Sequence, residues 1–83
     1  MRTPTWAQVE RFCRIDGWAE SRRSGHLFFE KVLLGGTLLR THRSFSSRKT
    51  MSPGRFKAIL RYQLLVSEEQ FWRALETKQP VDR

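Results

Sequence analysis

Two turn signals, Ser24-Gly25 and Gly35-Gly36, cut the centre of this chain into three short segments. Glycine reaches the positive φ that tight hairpin turns demand, so such pairs mark places where a chain doubles back. The segments they bound are 18–23, 26–33 and 37–43. The middle one carries aromatic and β-branched residues suited to a pleated surface. The spacing predicts three strands in an antiparallel sheet.

Helical signals flank the strands. Thr5 and Gln8 form the T-x-x-Q pattern of a capping box. Trp6, Val9, Phe12 and Cys13 fall on one face of the helix that follows, and Gly17 ends it. Ser52-Pro53 pairs a good N-cap with a proline at the first helical position. Phe56, Ile59, Leu60 and Leu64 then supply an apolar stripe. Ser67 and Gln70 form a second capping box, with Val66 and Phe71 placed for a hydrophobic staple. One of the adjacent pair Phe71 and Trp72 either stays exposed as a partner contact or packs with the other to complete the core. Residues from Lys78 onward are polar, include Pro80, and are expected to fray. Segment 45–51 reads as a polar, basic loop.

The fold class is therefore α+β in the order αβββα. It has a three-stranded antiparallel sheet with helices on one face, plus a short C-terminal helix. This is the layout of the double-stranded-RNA-binding domain. A chain of 83 residues suffices for one domain, here residues 1–83, with a core at 5–65 and the last helix at 67–77. Segment MRTPTWAQVE has no signal-peptide core, and no apolar run approaches the ~20 residues of a membrane span. The expected location is the cytoplasm.

Charge narrows the partners. The net charge is +8, unevenly spread. Residues 1–65 hold 13 Lys/Arg against 4 Asp/Glu, whereas residues 66–83 hold 3 against 4. Between Arg40 and Arg61 there are seven cations and no carboxylate. Such a field attracts polyanions and favours nucleic acid over a plain solvated surface. Two histidines, one cysteine and scattered carboxylates show no metal-ligand spacing. Neither a metal nor a small-molecule cofactor is expected.

Four segments together resemble the HicA toxins of bacterial toxin–antitoxin pairs. Gly17-Trp18 matches the family's G-W or G-F pair. Arg22-Arg23-Ser24-Gly25-His26 resembles its R-x-x-G-S-H turn, with Ser-Gly in place of Gly-Ser. Leu39-Arg40-Thr41-His42 resembles its V-P-x-H segment, with Arg40 in place of proline. The segment from Pro53-Gly54 to Ile59-Leu60-Arg61 resembles its P-G-T-L-x-x-I-L-R helix. The match covers about residues 5–65. The resemblance implies a ribonuclease that cuts mRNA, with His26 catalytic and a HicB-type antitoxin protein as its inhibitor.

The chemistry can also be argued from the residues. RNA cleavage without a metal uses the neighbouring 2′-hydroxyl as nucleophile. One group must take its proton and one must protonate the leaving oxygen. Histidine suits either task because its ordinary pKa lies near 6.5. Arg or Lys donors stabilise the negative charge of the transition state. Strand alternation predicts Leu27, Phe29 and Leu39 facing the helices, with His26, Phe28, Glu30, Leu38, Arg40 and His42 facing outward. A three-residue loop at 34–36 would pair Phe28 with His42 and His26 with Ser44. His26 and His42 would then be diagonal neighbours, about 7–8 Å apart between Cα atoms.

The candidate RNA contacts are Arg22, Arg23, Phe28, Arg40, His42, Arg43, Arg48 and Lys49. Arg22 and Arg23 precede His26 and are either phosphate ligands or ordinary charged strand ends. Phe28 is a base-stacking platform, a partner contact or a core residue. His42 is a second acid or base, an RNA contact or a plain exposed residue. The alternative function is a module of the same fold that binds structured RNA without cutting it. A third reading is a protein-interaction or DNA-binding component, in the latter case with the basic helix bearing Arg55, Lys57 and Arg61 lying along DNA.

Overall fold

In a computed structural model, which describes residues 1–43 and 49–83, the elements run α1 (Trp6–Ile15), β1 (Ala19–Arg23), β2 (His26–Val32), β3 (Leu38–Arg43), α2 (Pro53–Ala58) and α3 (Glu68–Thr77). The three strands form one antiparallel sheet in the order β1-β2-β3. The architecture is α+β, and its order is the expected αβββα with a further helix.

Each element begins where its local chemistry directs. Thr5 and Gln8 make both bonds of the capping box at α1, and Ser67 and Gln70 make both at α3. These side chains satisfy backbone N–H groups that have no partner inside the helix. Ser52 caps α2, where Pro53 occupies the first turn. Gly17 follows α1 at φ 79°.

The two hairpins fix the register. Ser24 and Gly25 both have positive φ, 51° and 81°, as a type I′ turn requires. They place Arg23 directly opposite His26. At the second hairpin Gly36 N–H donates to Leu33 O at 2.9 Å, Leu33 N–H donates to Thr37 O at 2.8 Å, and Gly36 sits at φ 89°. This is the three-residue loop expected at 34–36, and Phe28 pairs with His42. Ser44, predicted opposite His26, lies outside the described residues.

The sheet has two unlike faces. Leu27, Phe29 and Leu39 are buried and join a core with Val9, Phe12, Phe56, Ile59, Leu64 and Phe71 from the helices. Phe71 stacks on Phe12 at 5.0 Å and meets Phe56 edge-on at 5.2 Å. Trp72 meets Phe56 at 6.1 Å and lies under the Arg2 guanidinium at 3.8 Å. Both Phe71 and Trp72 are buried, so α3 completes the core instead of presenting one of them outward.

Two features depart from the sequence reading. The helix begun at Pro53 does not continue as a regular α-helix. Residues Ile59–Leu64 form a π-helical stretch, ended by Leu65 in the left-handed conformation at φ 51°. The widened turn still buries Ile59, Leu60 and Leu64. It also presents Gln63 to β3, where Thr41 Oγ1 donates to Gln63 Oε1 at 2.6 Å.

The second departure is the C-terminal segment, which is tied down instead of frayed. Asp16 is the anchor. It is 1% exposed, accepts from Trp18 Nε1 at 2.9 Å and from Val81 N–H at 2.8 Å, and pairs with Arg83 at 2.8 Å. Lys31 Nζ donates to its backbone carbonyl. A buried carboxylate is tolerated only when paired and hydrogen-bonded, and these partners supply that.

Candidate nucleic-acid interface

His26 opens β2 immediately after the type I′ turn and is exposed. Its ring lies 6.3 Å from that of Phe28, tilted at 59°. Two residues along the same strand face, Phe28 is half-buried and sits opposite His42, with rings 6.1 Å apart. His42 in turn stacks on Trp6 at 6.2 Å and 27°. A row of four aromatic rings thus crosses from the β1–β2 turn to the first turn of α1. Trp6 is otherwise a core residue, so one end of the row is anchored in the interior.

Cations border this row. Arg23 pairs with His26 across the hairpin, so their side chains share a face. Arg40 pairs with Glu30 across β2 and β3, and its Nε is 3.3 Å from Glu30 Oε2. Arg23, Phe28, Glu30, Arg40, His42 and Gln63 line an open depression of about 300 Å³, together with Phe29 and Thr41. His26 is not part of its lining and stands beside it.

The other predicted contacts lie elsewhere. Arg22 pairs with buried Leu27, which puts it on the helix-bearing face. Arg43 pairs with Leu27 from the other side and is held by Glu10 at 3.0 Å. Glu10 also pairs with Arg14 at 2.9 Å, so Arg43 belongs to a network that joins β3 to α1. Neither arginine joins the cluster around Phe28. Lys49 is exposed next to Thr50, which bridges to Thr5. Arg48 lies outside the described residues, as does most of segment 45–51. The described end of that segment is pinned, since Met51 is buried and its N–H donates to Pro4 O at 3.0 Å.

Sequence reasoning did not select Glu30 or Gln63 as site residues. Glu30 carried a signal, because strand alternation puts it on the face of Phe28 and Arg40. Gln63 carried none, because its position depends on the π-helical turn.

Chemically, the face offers an exposed imidazole, aromatic surfaces for base stacking, and guanidinium groups for phosphate. Among the described residues, no three His, Cys, Asp or Glu side chains gather into a metal-ligand cluster, and no helix is long and apolar enough to cross a membrane. Compared with family models, curated proteins and solved structures, the chain finds no significant match.

Proposed function

We propose that this chain is a cytoplasmic, metal-independent endoribonuclease that cuts mRNA, a toxin of the HicA type restrained by a HicB-type antitoxin protein. The observation that carries the reading is the setting of His26. An exposed imidazole stands at the end of an aromatic row, with Arg23 directly across the hairpin. Four sequence segments in the order of that toxin family support the same reading.

In this account a single RNA strand lies along the open sheet face. A base stacks on Phe28, Arg23 holds a backbone phosphate, and Arg40 contacts the RNA beside Phe28. His26 takes the proton of a ribose 2′-hydroxyl, and the resulting oxyanion attacks the adjacent phosphorus. The P–O5′ bond breaks and the leaving 5′-oxygen takes a proton from water, giving a 2′,3′-cyclic phosphate and a 5′-hydroxyl, while the imidazolium of His26 returns its proton to solvent. Arg23 stabilises the charge that gathers on the phosphoryl oxygens.

The test is expression in a bacterium. Wild-type protein is expected to arrest growth, and His26→Ala to accumulate folded without arresting it. Undiminished arrest by the folded variant rejects the role given to His26.

A further inference from the structure

The depression beside His26 contains a feature that phosphate binding does not need. Glu30, a carboxylate, lines a face otherwise suited to a polyanion. It is paired with Arg40 through one oxygen, Oε2, at 3.3 Å, and its side chain is one-third exposed. A negative charge here costs affinity for backbone phosphate. It becomes useful if it meets hydrogen-bond donors on a base.

The surroundings specify which base. Phe28 offers a ring for stacking, and a larger base covers more of it. Glu30 presents acceptors and Arg40 presents donors side by side, a pattern fixed by their cross-strand pairing. Guanine is the RNA base whose pairing edge carries two adjacent donors, N1–H and N2–H2, next to an acceptor, O6. A carboxylate accepts both donors, and a guanidinium beside it donates to O6. Adenine and cytosine each offer one exocyclic amine to the carboxylate, and uracil a single ring N–H. Gln63 enters the depression from the π-helical turn and is held by Thr41 at 2.6 Å, which closes the side next to β3.

We infer that this depression is a guanine-reading subsite, in which Phe28 stacks the base and the Glu30–Arg40 pair reads its pairing edge. The inference rests on the ribonuclease reading for its substrate class, and it names the base held beside the scissile bond. Phe28 is 6.3 Å from His26 between ring centroids, so a base stacked there brings its own ribose toward the imidazole.

The experiment measures binding without cleavage. Wild-type protein is titrated by fluorescence anisotropy into short 2′-fluoro oligouridylates, which lack the nucleophilic hydroxyl. Each carries one central guanosine, inosine, adenosine or cytidine analogue. The guanosine probe is expected to bind about tenfold more tightly than the others, inosine included, because inosine lacks the 2-amino donor. Glu30→Gln, with its fold verified by circular dichroism, is expected to remove that preference, with affinity for the other probes equal to or above that of the wild type because a negative charge is lost from the face. Equal affinity for all probes, binding to none, or a guanosine preference that survives in Glu30→Gln overturns the subsite. Cleavage of ordinary RNA is followed separately. Cutting without base preference rejects the subsite and keeps the nuclease, whereas guanosine-selective binding without cutting keeps the subsite and rejects the nuclease.

Discussion

Phe28 and His42 face each other across the central and outer strands, directly paired and with ring centroids 6.1 Å apart, on the face away from Leu27, Phe29 and Leu39. Neither ring is needed to close the core, which is built from Leu27, Phe29 and Leu39 on the other face. A half-buried phenylalanine on an open, cation-bordered face is the arrangement that stacks bases in single-stranded nucleic-acid binders.

Replacing Phe28 therefore separates binding from folding. Phe28→Ala is expected to weaken binding to single-stranded RNA by about 1–3 kcal/mol. Thermal stability should fall far less than in Phe29→Ala, where a fully buried ring costs about 3–5 kcal/mol. Anisotropy titration and melting of the two variants check this. Equal effects of both variants on stability would place Phe28 in the core.

Asp16 is the stability anchor. Asp16→Ala removes the partner of Arg83 and the acceptor for Trp18 and Val81 together. Stability is expected to fall by about 3–5 kcal/mol, the range for breaking a buried ion pair from one side. Urea titration measures it. A loss under about 1 kcal/mol would show that the C-terminal segment contributes little.

Cys13 is fully buried, and burial pushes its thiol well above the ordinary value of 9.0, with the Asp16 carboxylate adding in the same direction. A thiol held neutral is a poor nucleophile. Native protein is expected to resist alkylation at neutral pH and to react promptly once unfolded. The unfolded thiol ionises as pH passes its ordinary value, while the folded one stays neutral. Ionisation then favours unfolding, so the stabilisation is complete below that value and declines as pH climbs above it. Cys13→Ala should flatten this alkaline decline in urea midpoints. Rapid labelling of the native thiol would contradict the assignment.

Glu20 gives the opposite sign. The Arg14 guanidinium, donating at 2.6 Å, holds this exposed carboxyl below its ordinary range. Its contribution is present above the unfolded carboxyl range and is lost as pH falls through the lowered value. Glu20→Gln is expected to reduce the acid dependence of stability slightly. An unchanged acid limb would show that the pair adds nothing measurable.

The sheet was legible because its determinants are local. Turn residues set loop lengths, loop lengths set register, and alternation then put His26, Phe28 and His42 on one face. The same alternation assigns Arg43 to the inner face with Leu39 and Thr41, and Glu10 holds it there. What stayed hidden was non-local. Asp16 and Val81 are 65 residues apart, so nothing near either shows that they bond. The π-helical turn is hidden because Ile59, Leu60 and Leu64 also fit an ordinary helical stripe. Glu30 was visible as an outward residue, yet its pairing with Arg40 gains meaning only beside Phe28 and Gln63.

The central claim is that the imidazole of His26 performs RNA chemistry on this face. The direct measurement incubates end-labelled RNA with purified protein in excess chelator and resolves the products by length and end group. The account predicts fragments ending in 2′,3′-cyclic phosphate with wild-type protein, and intact RNA with folded His26→Ala. RNA left intact by the wild type, or equal cleavage by both proteins, would contradict it.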